Sequence, residues 1–506
     1  MTTNLYTAFG FDGAKSSTVA LETDDGTALT YGDMDRLSAR LAHVVRSRGV
    51  GPGDRVVMQV VKSPEMLLLY LAVVRVGGVI VPLNTGYTLA ELGYLLRDAE
   101  PALIVCAPAL ADSVRALLRE QETCAAVETL DGQAGGTLMQ AARHAPSSIA
   151  DEDRRSDDLA AILYTSGTTG RSKGAMLTHA NLVSNARTLV AYWQITDRDV
   201  LLHALPLFHT HGLFVACNTA LFAGARMLFK GGFDCGEIVR ALPRATIMMG
   251  VPTFYTRLLQ EPRLDAALCA HTRLFTSGSA PLLAATHDAF KCRTGHLILE
   301  RYGMTETNMI TSNPYDGERI AGTVGMPLPG IQVRIADPDT AVVLGRNELG
   351  VIEVKGPNVF PGYWRMPEKT REEFRSDGYF ITGDLGSIDE RGYVRIVGRT
   401  KDLIISGGFN VYPKEVEIEI DAVPGVMESA VIGCPHPDFG EGVTAVVVGD
   451  GSAPIDSGAI LRALETRLAR FKQPKRIIFA DSLPRNAMGK VQKNVLRAEH
   501  AHIYGA

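Results

Sequence analysis

The chain has 506 residues, 46% hydrophobic and 21% charged, which exceeds one compact core and predicts a globular protein of about two to four domains. A net charge of −5, with no sustained run of lysine or arginine, argues against a nucleic-acid partner. The seven cysteines are scattered and never form a CxxC pair, which argues against a disulfide framework or zinc site and predicts a reducing, cytoplasmic setting.

The start, MTTNLYTAFGFDGAK, has no basic segment followed by an apolar one, so no signal peptide is expected. The longest apolar stretch, 66–82, is interrupted by Arg75, Gly77 and Gly78, so no membrane span is expected. DRVVMQVV (54–61) reads as a buried strand. SPEMLLLYLAVVRVGG (63–78) reads as a helix, with Ser63 as N-cap and Pro64 at its first position. VIVPLN and ALIVCA are further strands, separated by the helical TLAELGYLLRDA. Such alternation predicts an α/β fold with mostly parallel, helix-flanked sheets. A charged connector, ADEDRRSDD (150–158), leads into ILYTSGTTGRSKGAMLTHANL (162–182). That loop reads as ordinary turn punctuation or as a phosphate loop, in which glycines let backbone N–H groups converge on an anion and Lys173 adds charge. It is not a Walker A loop, because Ser172 precedes Lys173 and Gly174 follows it.

Further along, LPLFHTHGLF (205–214) places His209, Thr210 and His211 after an apolar run, TSGSAPL (276–282) is a glycine–serine turn after a strand, and RYGMTET (301–307) follows an apolar strand. Between about 345 and 398 the texture changes to short strands with glycine turns, GVIEVKG, GYFITGDLGSID and GYVRIVG, which predicts an antiparallel subdomain. After Gly398 the chain resumes as a small α/β unit that contains ISGGFN (405–410) and LPRNAMGKVQK (483–493). Each feature alone has an ordinary reading: a surface Arg301, a turn residue Asp384, a solvated Lys490, a satisfied core histidine.

In this order the stretches resemble the adenylate-forming enzymes: acyl-CoA synthetases, peptide-synthetase adenylation domains and beetle luciferases. The resemblance covers nearly the whole chain, and YTSGTTGRSKG and YGMTET are its most specific parts. Within the family, LPLFHTHGLF, GVPTFYTRLLQ, ERYGMTETNM, GGFNVYPKE and LPRNAMGKVQKNVL are most similar to malonyl-CoA synthetases. The resemblance implies an N-terminal adenylation domain over 1–398, with an antiparallel barrel subdomain at about 345–398. It also implies a hinge at 399–402 and a small, mobile C-terminal lid domain over 403–506. The implied activity is that of an ATP-dependent malonate–CoA ligase acting through a malonyl-adenylate and releasing AMP and pyrophosphate, with methylmalonate left open. Alternatives are a ligase for another short-chain, medium-chain or aryl acid, and an adenylation enzyme loading a carrier protein in trans. A third, a catalytically silent nucleotide-responsive protein, is disfavoured by intact Glu306, Asp384, Arg399 and Lys490.

This chemistry needs no protein nucleophile. Two anions must be held together while charge on the phosphates is neutralised, which is positioning plus electrostatic stabilisation. By resemblance, Thr165, Ser166, Gly167, Thr168, Thr169, Gly170 and Lys173 close over the β- and γ-phosphates of ATP. Thr305 hydrogen-bonds the α-phosphate, and Glu306, with Thr165, binds Mg²⁺, a hard cation suited to carboxylate, hydroxyl and phosphate oxygens. Ser277, Gly278, Ser279 and Ala280, with Glu300, Arg301, Tyr302 and Gly303, frame the adenine, and Asp384 takes the ribose with Arg399 beside it. Lys490 reaches the reacting oxygens during adenylation, Lys401 is the pivot, and Ser406, Gly407, Gly408 and Phe409 receive CoA. His209, Thr210, Ser279, Arg301 and Met304 line the acid pocket, with the role of His211 left open. Many acyl-CoA synthetases have a small or uncharged residue where Arg301 stands, so an arginine there implies a second negative charge on the substrate. In bacterial relatives the lysine corresponding to Lys490 can be acetylated, which implies an acetyltransferase and a deacetylase as partners.

Overall fold

The computed structural model describes residues 4–11, 13–165, 172–451, 455–486 and 489–505. The strands expected near the start form as Arg55–Gln59, Val79–Pro82 and Leu103–Cys106, paired in parallel. They are buried on both faces, which is why their sequences are almost uninterruptedly apolar. The helix between the first two runs Pro64–Arg75, and the Ser63 hydroxyl accepts from the Met66 backbone N–H as the expected N-cap. Thr88 and Glu91 close a capping box on the helix Leu89–Ala99. Its Leu92, Leu95 and Leu96 pack on Val57, Val81 and Ile104 of the sheet, each such burial contributing about 1.5–3 kcal/mol.

Among the described residues, these strands belong to a six-stranded sheet that ends in Leu159–Thr165 and its antiparallel partner Lys173–Thr178. A nine-stranded sheet carries a parallel centre: Leu299–Met304, Leu274–Ser277, Ile247–Gly250, Val200–His203, Arg226–Phe229 and Val19–Glu22 in spatial order. The motif RYGMTET does not follow its strand. Arg301–Met304 are the end of it, and Thr305–Thr307 form the turn into the antiparallel strand Asn308–Ser312.

Two compact units emerge, Met1–Gln332 with Val354–Phe380, and Val333–Glu353 with Ile381–Ala506. The second contains most of a four-stranded sheet, Gln332–Ala336, Gly350–Lys355, Phe380–Ile388 and Val394–Arg399. This sheet starts before residue 345, where the sequence suggested it would begin. Asp384 lies inside its nine-residue strand rather than in a turn. The same unit holds a five-stranded sheet built on the long antiparallel pair Val426–His436 and Gly440–Gly449. Arg476–Phe479 joins it in parallel, with Pro413–Asp421 and Ser457–Glu465 as helices. No helix among the described residues is long and apolar enough to cross a membrane.

Arg75, which interrupts the apolar stretch in sequence, is buried at the end of its helix. It donates to Asp151 (2.6 Å), to the Asp35 carbonyl (2.9 Å) and to Ser38 (3.2 Å), and lies 4.3 Å over the Tyr6 ring. Arg75→Ala removes these partners together and opens a gap at Tyr6. Chemical denaturation followed by circular dichroism should show the first unit destabilised by about 2–3 kcal/mol.

Candidate active site

Ligands of open parallel sheets bind off the carboxyl ends of the strands, and the turns after Ser277 and Met304 lie there. The register pairs Gly250 with Ser277 and Ser277 with Glu300, which sets the turn after Ser277 against Arg301. A side chain at Gly278 would meet the Arg301 guanidinium at 2.3 Å, so only glycine lets the arginine lie across this turn. The next residue, Ser279, takes φ 70°, which turns the chain sharply.

Arg301 is 3% exposed. Its Nε and Nη2 have no hydrogen-bond partner among the described residues, and burial pushes its guanidinium down to about 9. The histidines of LPLFHTHGLF stand close by. Ser279 Oγ is 3.3 Å from His211 Nδ1, and the His211 backbone N–H donates to His209 Nδ1 at 3.2 Å. Burial, then the charge of Arg301, lowers His209 to about 4 and holds His211 well below its usual range. Both imidazoles are therefore neutral at pH 7. His211 Nε2, Thr210 Oγ1, Thr276 Oγ1 and Ser277 Oγ are likewise buried without partners among the described residues. Buried polar groups are nearly always paired. A buried guanidinium whose Nε and Nη2 lack partners among the described residues has the chemistry to bind an anion rich in acceptors. His211, left open by the sequence, thus stands beside His209 in this cluster. Met304 and Tyr302 are half-buried at the end of the strand.

A second cluster in the same unit has the opposite charge. Glu306 sits in the turn after Met304, buried, and burial raises its pKa. The Tyr363 hydroxyl lies 2.9 Å from Glu306 Oε1 and 2.7 Å from Glu373 Oε2. Lys173 pairs with Glu373 at 3.0 Å, and its ammonium stands 4.3 Å over the Tyr363 ring. Thr165 pairs with Lys173 across the hairpin. Ser166, Gly167, Thr168, Thr169 and Gly170 lie outside the described residues. Tyr363 and Glu373, from GYWRMPEKTREEF, were not singled out by sequence. A tyrosine and a glutamate in a polar stretch carry no signal until the fold sets them against Glu306 and Lys173.

In the second unit, Asp384 and Arg399 face each other across adjacent strands, with Arg399 Nε 2.9 Å from Asp384 Oδ1. Lys401 lies in the one-turn segment Thr400–Asp402. Gly407 (φ 58°) and Gly408 (φ 81°) form the two-residue turn between Ile404–Ser406 and Phe409–Val411, where both positions need left-handed backbone. Ser406 is buried, and Phe409 is exposed and stacked on Phe471. Lys490 follows a tight turn in which its backbone N–H donates to Asn486 Oδ1. Burial, then the charge of Arg399, pushes its ammonium down to about 8.

The chain matches the AMP-binding enzyme family over residues 12–364, and the C-terminal domain of AMP-binding enzymes over residues 415–490. The chain belongs to the AMP-binding enzymes. It is an AMP-forming acid–CoA ligase of this adenylate-forming family, and its relatives extend over nearly its whole length. It is 39% identical to a feruloyl-CoA synthase of Amycolatopsis sp (93% of this chain, 94% of that one). It is 34% identical to a malonate–CoA ligase of Arabidopsis thaliana (94% and 85%). The crystal structure of ATP-bound MatB from Rhodopseudomonas palustris superposes with a TM-score of 0.98 at 59% identity, covering 100% of both chains.

For this AMP-binding enzyme, the Glu306–Tyr363–Glu373–Lys173 chain generates a direct expectation. Tyr363→Phe keeps the ring under Lys173 and removes only the hydroxyl between two carboxylates. Losing one such hydrogen bond costs about 1–2 kcal/mol. Pyrophosphate release should therefore show kcat/KM for ATP reduced about 5- to 30-fold, with the circular dichroism spectrum of the folded enzyme retained.

Proposed function

We propose that the protein is a malonate–CoA ligase, a malonyl-CoA synthetase. Supporting this reading is one observation above the others: the buried Arg301 guanidinium, with Nε and Nη2 unpartnered among the described residues. An acid with one carboxylate spends it on ATP and leaves this cation alone. Malonate carries a second carboxylate, and the planar fork of arginine matches it with two parallel hydrogen bonds. Ser279 and His209 stand beside that carboxylate, and Met304 limits the length of the acid. The similarity to a feruloyl-CoA synthase favours a second reading, an aryl-acid ligase, for which a buried unpaired cation has no use.

In the proposed reaction, the near carboxylate oxygen attacks the α-phosphorus of ATP and pyrophosphate departs with the bonding electrons. The CoA sulfur, its proton lost, then attacks the malonyl carbonyl and AMP departs. Thr305 holds the α-phosphate, Lys173 and the loop from Thr165 hold the outer phosphates, and Ser277–Ala280 with Glu300–Gly303 border the adenine. Asp384 and Arg399 take the ribose, Lys490 steadies charge during adenylation, Lys401 is the pivot, and Ser406–Phe409 receive CoA. The donors at Glu306 fit Mg²⁺: they are oxygens, and burial, then the neighbouring Glu373 carboxylate, raises the Glu306 pKa, a strain that a hard cation would relieve. Glu306 and Thr165 would hold that ion, which neutralises phosphate charge when bound.

Two expectations test this reading. Arg301→Leu should cost about 2–3 kcal/mol, or about 30- to 200-fold in kcat/KM for malonate, while propionate holds or rises. Parallel losses for both acids with a raised KM for ATP would make Arg301 part of the nucleotide site instead. The second concerns Lys490, protonated below its lowered value of about 8 and neutral above it. Adenylation kcat/KM, which reports the free enzyme, should decline as pH rises through about 8. Thioester formation from supplied malonyl-adenylate should lack that limb, and Lys490→Ala should abolish adenylation while sparing the thioester step.

A further inference from the structure

Lys62 immediately precedes the N-cap of the helix Pro64–Arg75, and His203 ends the strand Val200–His203. Neither was marked by sequence, and neither belongs to the proposed reaction. Lys62 is half-buried, and its Nζ donates to the His203 carbonyl at 2.9 Å. It also lies 3.0 Å from His203 Nδ1 and 4.5 Å from the centre of the Phe229 ring. Burial pushes Lys62 down to about 7, but its Nζ carries N–H bonds in either state and can donate to Nδ1, which places the imidazole proton on Nε2. That nitrogen is 2.9 Å from the Gly212 carbonyl, which can only accept, and 3.2 Å from Cys217 Sγ. Burial holds His203 well below its usual range, which agrees with the neutral ring that this chain of bonds requires.

Gly212 and Cys217 are the second and last residues of a π-helix, His211–Cys217. Such turns are rare and frequently lie at functional sites. The His203 ring therefore touches both ends of this segment. The same long helix that follows Lys62 adds a second tie, the Tyr70 hydroxyl donating to Asn218 Oδ1 at 2.9 Å. The first residue of the π-helix is His211, whose Nε2 is one of the orphaned atoms near Arg301.

We propose that Lys62 and His203 are positioning residues for the acid pocket: Lys62 sets the tautomer of His203, and His203 holds the Gly212 carbonyl so that His211 Nε2 stays aimed into the pocket. This inference rests on the reading of the Arg301 cluster as the acid site, not on malonate being the acid.

The test uses full-length enzyme and pyrophosphate release with malonate, propionate and benzoate, taking the acid with the highest wild-type kcat/KM. Lys62→Met and His203→Leu should each raise KM for that acid about tenfold, with KM for ATP within twofold of wild type. His203→Gln, which restores a side-chain N–H for the Gly212 carbonyl, should return KM for the acid to within about threefold. Because His203 is buried and His203→Leu can fail to fold, Lys62→Met with its melting temperature carries the test independently. Wild-type KM for the acid in Lys62→Met would overturn the proposal. So would parallel increases for acid and ATP with a lowered melting temperature, or a His203→Gln enzyme no better than His203→Leu. Should propionate or benzoate outperform malonate in the wild type, the malonate assignment falls, and the same KM split still decides the roles of Lys62 and His203.

Discussion

A buried guanidinium, with no partner on Nε or Nη2 among the described residues, is the constraint on which the rest of the site depends. Removing an ion from water costs several kcal/mol even after relaxation, and the fold bears that cost at Arg301 with no acid on Nε or Nη2 among the described residues. The surroundings are arranged around it. Strand register brings the turn after Ser277 alongside, and the missing side chain of Gly278 leaves room for the planar group. The nearby histidines are kept neutral, so they add donors and acceptors without adding charge. A ligand that brings a carboxylate to this point recovers part of the desolvation cost, and one that brings a methyl group does not.

The first unit thus holds two clusters of opposite character on one short stretch of chain. Arg301 ends up cationic and short of partners, whereas Glu306, five residues later, meets a second carboxylate through Tyr363. The strand Leu299–Met304 and the turn after it supply both. Lys173 and Lys369 both pair with Glu373, at 3.0 Å and 3.2 Å. An enzyme that joins an acid to a nucleotide needs such a division, because acid and polyphosphate are both anions. A bare cation suits the distal end of a small diacid, and a cluster of carboxylates suits a metal-bound polyphosphate.

Much of the fold was legible in the sequence because the signals were local. The Ser63–Pro64 start of a helix and the helical pattern of TLAELGYLLRDA need only neighbouring residues to operate. The apolar strands of the parallel sheets read correctly because both their faces are buried. Where the reading erred, longer-range pairing had overridden local texture. TGDLG looks like a turn, yet Asp384 lies within a strand because cross-strand pairing with Arg399 extends the ladder through it. Arg301 likewise belongs to its strand because Ser312 pairs with it from the returning strand.

The sequence by itself determined the family and the α/β class, since glycine-rich turns and apolar strands are contiguous and their composition reports their backbone demands. Tertiary structure alone decided the electrostatics. Whether Arg301 is a surface charge or a buried one depends on strands brought together from distant parts of the chain. So does the coupling of Glu306 to Tyr363 and Glu373, residues 57 and 67 positions away. Burial and pairing are properties of the packed surroundings, and no window of sequence contains them.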